Sequence, residues 1–269
     1  MKTKLNQIIA CIVTVLIFSV TSTANLKATN INLKHQLSSS AVNDDLEKAK
    51  KDGKVVFLII TGKGAVNVSK AVTLTKEASA KVKNTTTVQL NRDDVTNSEI
   101  VSKFRIQGVP LPFILVISAK GLPVAGVDPA QATSDDLVKA IPSPCQDAVF
   151  VGLNDKKTVF LIISKKGYTD KTTVITNTKS AVAKIASKPD IIEVDFDDKK
   201  ETEFLKQVGV TSMNGLTVTV IINTAGQITD KLVGVQKVDY LVTLATKPPA
   251  KAGGCCPGGS SKSGCAPKK

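Results

Sequence analysis

Lys54-Val55-Val56-Phe57-Leu58-Ile59-Ile60-Thr61 returns about a hundred residues later as Lys157-Thr158-Val159-Phe160-Leu161-Ile162-Ile163-Ser164. The continuous apolar core of the first run, Val55 to Ile60, lies between Gly53 and Gly62, as expected of a strand buried on both faces of a sheet. Further landmarks recur in the same order. Val88-Gln89-Leu90-Asn91-Arg92-Asp93-Asp94 is answered by Ile192-Glu193-Val194-Asp195-Phe196-Asp197-Asp198, and Gly108-Val109 by Gly209-Val210. Val116-Ile117-Ser118-Ala119-Lys120-Gly121 is answered by Ile221-Ile222-Asn223-Thr224-Ala225-Gly226, and Gly126-Val127 by Gly234-Val235. Matches at nearly constant offset mark an internal repeat, and a period of this length is a domain rather than a solenoid unit.

Within the first copy, Asp44 to Lys51 is a polar segment of helix formers with Asn43 as its expected cap and Gly53 as its stop. Val68, Val72, Leu74, Ala78 and Val82 recur at helical spacing after the first strand. Thr87 to Leu90 reads as a short strand and Ser98 to Phe104 as a short helix. Phe113 to Ile117 and Leu122 to Val127, joined at Lys120-Gly121, read as an antiparallel pair, and Ser134-Asp135-Asp136 as the cap of a last helix through Ile141. The second copy repeats the order, with Leu216 to Ile222 and Gln227 to Val235 as its hairpin and Val238 to Ala245 as its closing helix. The connector Pro142-Ser143-Pro144 is short, which predicts that the two halves touch. Hydrophobic residues make up 42% of the chain and aromatics only 4%, with no Trp, so the cores must be built from Val, Ile, Leu and Ala, a composition that favours sheets.

Strand, helix, strand, helix, hairpin and closing helix is an order that resembles the thioredoxin fold. The resemblance sharpens at Phe104-Arg105-Ile106-Gln107-Gly108-Val109-Pro110, which is similar to the family's segment ending in a cis proline. Two prolines fit that part: Pro110 by its preceding Gly-Val, and Pro112 by its distance to the turn at Gly121. The implied fold class is α/β, two consecutive thioredoxin-like domains, each a central mixed sheet flanked by helices, over residues 42–142 and, more degenerately, 143–246. An active member would place Cys-x-x-Cys after the first long strand, where a helix N-terminus lowers the thiol pKa. Here that stretch is Gly62-Lys63-Gly64-Ala65-Val66-Asn67-Val68-Ser69 in one copy and Lys165-Lys166-Gly167-Tyr168-Thr169-Asp170-Lys171 in the other, with no cysteine in either. Without a sulfur there is no nucleophile for thioredoxin-type exchange, and no catalytic residue is assigned.

The chain begins with Lys2 and Lys4, an apolar run from Ile8 to Val20, and Ser22-Thr23-Ala24, the order of a secretory signal over residues 1–24. Residues 25–41 then read as a linker. The run falls short of the roughly 20 residues of a membrane-spanning helix, so no span is expected after cleavage, and the protein is expected to be exported to a periplasmic or extracellular location. Cys11 follows Ile8-Ile9-Ala10 as an acylated cysteine would, but most of the apolar run comes after it. The net charge of +13 draws anionic partners. Nucleic acid is not expected, because the lysines are dispersed, aromatics for base stacking are few, and export would keep the chain away from it. A protein or an anionic envelope polymer fits better.

Residues 247–269 change composition abruptly to Pro248-Pro249, Gly253-Gly254-Cys255-Cys256-Pro257-Gly258-Gly259 and Gly264-Cys265-Ala266-Pro267, a Gly/Cys-rich segment expected to be a flexible tail. With Cys145 it supplies an even number of sulfurs, which in an exported chain permits disulfides, an intermolecular one included. Adjacent cysteines bridge each other only through a strained ring, so Cys255 and Cys256 are candidates for separate partners or, with Cys265, for a soft metal such as copper, zinc or mercury. The vicinal pair is similar to the mobile cysteine pair of mercuric reductases over only a few residues. No other cofactor is expected. Cys145 opens the second copy at an expected helix start, as a disulfide or metal candidate or simply as a small packed residue.

One histidine, His35, lies outside both domains, so a Ser-His-Asp or Cys-His site has no base near a core. Asp93-Asp94 and Asp197-Asp198 follow short strands at matching places and read as loop and capping carboxylates. The resulting expectation is a binding or scaffolding module without thioredoxin-type redox activity, the alternative being thiol exchange or soft-metal binding through the tail cysteines.

Overall fold

A computed structural model describes residues 40–248. The first half runs α1 (Ala41–Lys51), β1 (Val55–Thr61), α2 (Val68–Lys81), β2 (Thr85–Asn91), a 3-10 turn (Val95–Asn97), α3 (Ser98–Lys103), β3 (Phe113–Ile117), β4 (Pro123–Val127) and α4 (Ser134–Lys139). The second repeats the series as α5 (Pro144–Asn154), β5 (Val159–Ser164), α6 (Lys171–Lys184), β6 (Asp190–Asp195), a 3-10 turn (Lys199–Glu201), α7 (Thr202–Gln207), β7 (Val218–Ile222), β8 (Ile228–Val233) and α8 (Val238–Ala245).

Each half has one four-stranded sheet, ordered β2-β1-β3-β4 and β6-β5-β7-β8. In each, the central strand pairs in parallel with one neighbour (Val55 with Thr85, Val159 with Asp190) and antiparallel with the other (Ile60 with Phe113, Ile163 with Val218). The central strands are buried along their whole length because both faces are covered. Val56, Leu58 and Ile60 pack with α1 and α3, while Val55, Phe57 and Ile59 pack with α2 and α4. An exposed ion pair repeats between the helices of the latter layer, Lys81 to Asp135 at 2.6 Å and Lys184 to Asp239 at 2.8 Å.

Several local expectations shift. α1 is capped by Ser40, whose hydroxyl accepts from the Asn43 N–H at 3.2 Å, so Asn43 lies inside the helix and residues 40 and 41 belong to the domain rather than to a linker. The buried stripe of α2 is Ala71, Leu74, Thr75 and Ala78, and Val72 is 43% exposed, because 3.6-residue periodicity carries position 72 off the face that meets the sheet. Thr133, not Ser134, caps α4, in a reciprocal capping box with Asp136. The connector is partly helix: Ser143 caps α5 and Pro144 opens it, where a missing N–H costs nothing. The halves touch, with Phe150 of α5 packing against the first-half core. Among the described residues no helix is long and apolar enough to cross a membrane. The expected signal, His35, Cys255, Cys256 and Cys265 lie outside the described residues.

Candidate functional site

The turn after each central strand opens at the N-terminus of a long helix, α2 or α6, and a carboxylate closes it in both halves. In the first, the backbone N–H of Lys63 donates to Oδ2 of Asp93, which stands just past β2. Gly62 is required by close approach: a Cβ there would lie 2.7 Å from Asp93 Oδ2 and 3.0 Å from Leu111 Cδ1. The segment before β3 is thereby held against the turn, and Arg92 fixes it from the other side by donating from Nη1 to the Val109 carbonyl at 2.5 Å. Of the two candidate prolines, Pro112 follows a cis peptide bond, Leu111–Pro112, and immediately precedes β3; Pro110 does not carry the cis bond.

The second half solves the same closure with different atoms. Lys165 takes the place of Gly62, and its ammonium pairs with Asp197 at 2.9 Å while standing 4.8 Å over the Phe196 ring. Where the first half has Pro112, the second has Thr217, one residue before β7 and fully buried. A buried N–H and hydroxyl need partners. Both find Asp170, at the start of α6: the N–H donates to Oδ2 at 2.9 Å and the hydroxyl to Oδ1 at 2.8 Å. The remaining acids of the two pairs act as caps, Asp94 accepting from Thr96 N–H and Asp198 from Lys200 N–H, each at 2.9 Å.

A parallel β-α-β unit followed by an antiparallel hairpin and a helix, in the order 2-1-3-4, with the central-strand turn facing the start of β3, is the thioredoxin arrangement. Both halves are thioredoxin-like domains. No family model and no curated protein matches the sequence. Solved structures similar to these thioredoxin-like domains include the first two thioredoxin domains of Naumovozyma dairenensis Eps1p, at 12% identity over 75% of this chain and 94% of that one, TM-score 0.28. The N-terminal domain of alkylhydroperoxide reductase AhpF from Enterococcus faecalis is 13% identical over 75% and 98%, TM-score 0.28. The zinc-bound form of human ERp44 is 12% identical over 75% and 57%, TM-score 0.33. Superpositions this loose add no weight; the sheet order within each half carries the assignment.

Cys145 does not sit at either mouth. It is the second residue of α5, the place that Val42 holds in α1, and it packs half-buried against the second-half core with its thiol 3.7 Å from the Glu193 carbonyl. Burial, and then the neighbouring Glu201 carboxylate, push its pKa up to about 12. Glu201 itself is almost fully buried and caps α5, accepting from the Ser143 hydroxyl and from the Cys145 N–H at 3.0 Å. Only the thiolate attacks disulfides or binds soft metals, and both burial and Glu201 oppose its formation here. The Asp170–Thr217 pair and Glu201 are contacts between residues far apart in sequence. The one signal for them is the repeat itself, which aligns Asp170 with Asn67 and Glu201 with the equally buried Asn97.

Proposed function

We propose that this chain is an exported protein whose two thioredoxin-like domains form a binding or scaffolding module without thioredoxin-type redox activity. The observation that carries this reading is the state of the two helix mouths. Where an attacking sulfur would stand, the first has a glycine and a lysine whose N–H is tied to Asp93, and the second has Lys165 paired with Asp197. The described thiol is held protonated by burial and by Glu201. A net charge of +13 supports an acidic protein surface or an anionic envelope polymer as partner. Thiol exchange or soft-metal capture would have to use Cys255, Cys256 and Cys265. Insulin reduction by the chain with and without residues 247–269 separates the binding module from thiol exchange. No turnover in either supports the binding module, and turnover that disappears with the tail replaces it by tail chemistry.

A further inference from the structure

The two halves share one helix position with two fates. Asp44 in α1 and Asp147 in α5 occupy the same place in the repeat, yet Asp44 is exposed while Asp147 is 5% exposed. The difference comes from docking. The β3–β4 hairpin of the first half lies over α5: Ser118, whose hydroxyl oxygen accepts from the Lys120 N–H at 3.2 Å, and Lys120 both act on the Asp147 carboxyl, and Phe150, less than a turn further along, packs against the first-half core as Ala119 and Leu122 of the hairpin do. The hairpin tip turns at Gly121 with φ +82°, a conformation that favours glycine, and Lys50 of α1 covers it from behind.

One carboxyl oxygen, Oδ1, is buried with no hydrogen-bond partner. Lys120 supplies the charge that acts on the group from the hairpin, and Lys50 is the other cation reaching that tip. Burial outweighs the help from Ser118 and Lys120 and raises the carboxyl above the ordinary aspartate range. An acid whose pKa is raised only in the docked state binds its proton more tightly there, so docking is favoured below the ordinary aspartate range and weakened as pH rises through the docked value.

We propose that Asp147 makes the docking of the two domains depend on pH, the seam tightening as its carboxyl takes up a proton and loosening as it ionises. When the group is ionised, Oδ1 is a buried charged oxygen with no hydrogen-bond donor facing it, and protonation removes that charge.

Small-angle X-ray scattering of the full chain under reducing conditions, from pH 8 down to pH 4, reads the seam directly, with the Asp147 carboxyl carbon followed by NMR over the same range. The largest dimension is expected to fall with pH along the Asp147 titration curve, and Asp147→Asn to stay at the compact value throughout. A second variant, Lys120→Gln, alters an exposed residue and removes the facing cation, so its compaction midpoint should move to higher pH. A wild-type dimension that does not change with pH, an Asp147 carboxyl titrating in the ordinary range, or an unshifted midpoint in Lys120→Gln would each overturn the proposal.

Discussion

The Thr217 N–H and hydroxyl both end on Asp170, at 2.9 and 2.8 Å, two positions that the first half of the repeat fills with Pro112 and Asn67. The pairing follows from chemistry. A proline before β3 has no N–H to satisfy, whereas a threonine before β7 brings two buried polar groups that a carboxylate at the start of the neighbouring helix can accept. The duplicated domains thus hold the same turn by different bonds.

Asp170→Ala should destabilise the second domain by about 2 kcal/mol, because it strands a buried hydroxyl and a backbone N–H at once. Thr217→Val should cost less, since it removes one donor together with its demand. Chemical denaturation of the full chain checks both. Equal losses in the two variants would mean that the Asp170 carboxylate contributes nothing beyond the hydroxyl bond.

Cys145 should resist alkylation. With its pKa pushed up to about 12, the thiolate fraction at pH 8 falls about a thousandfold below that of an ordinary thiol, and the labelling rate should keep climbing with pH beyond the point where a free cysteine levels off. Peptide mapping after iodoacetamide treatment of the folded chain reads this directly. Glu201→Gln removes the negative charge beside the sulfur and should speed labelling. The rate should still stay below that of an unfolded control, since burial is the larger cause.

Cys145→Val should leave stability within about 1.5 kcal/mol of wild type, because the matching position in α1 is Val42 and the swap keeps a small apolar side chain. A thermal melt tests it. A large loss would show that the sulfur has a role the packing does not reveal.

Gly62→Ala places a methyl group against Asp93 Oδ2 and Leu111 Cδ1. The expected cost is about 1–3 kcal/mol, with the amide of Lys63 losing protection from hydrogen exchange as its bond to Asp93 breaks. Lys165→Ala, at the same place in the second half, meets no such crowding and should cost under about 1 kcal/mol, the value of a partly exposed ion pair. Reversed magnitudes would contradict the two modes of closure.

Much of this architecture is legible in residue order. The apolar runs at Val55 and Val159, the glycines that bound the first and the repeated landmarks specify strands, their burial and the duplication, because a strand covered on both faces must be apolar without interruption. The lack of a sulfur after either strand is equally plain from composition alone. Local signals misplace what depends on neighbours: Val72 looks like core and is exposed, and Asn43 looks like a cap and lies inside the helix that Ser40 caps, while the distance to the turn at Gly121 favours Pro112 over Pro110 only slightly until the backbone is traced. Around Asp147 the sequence signals a more covered helix, with Phe150 and Val151 standing where α1 has Glu47 and Lys48, but it does not name what covers the carboxyl. Its burial comes from a hairpin tip some thirty residues earlier in the chain closing over α5. Periodicity records which side of an element is covered, whereas the partner of a carboxylate or a hydroxyl is set by which distant segment folding brings alongside it, and that information exists only in three dimensions.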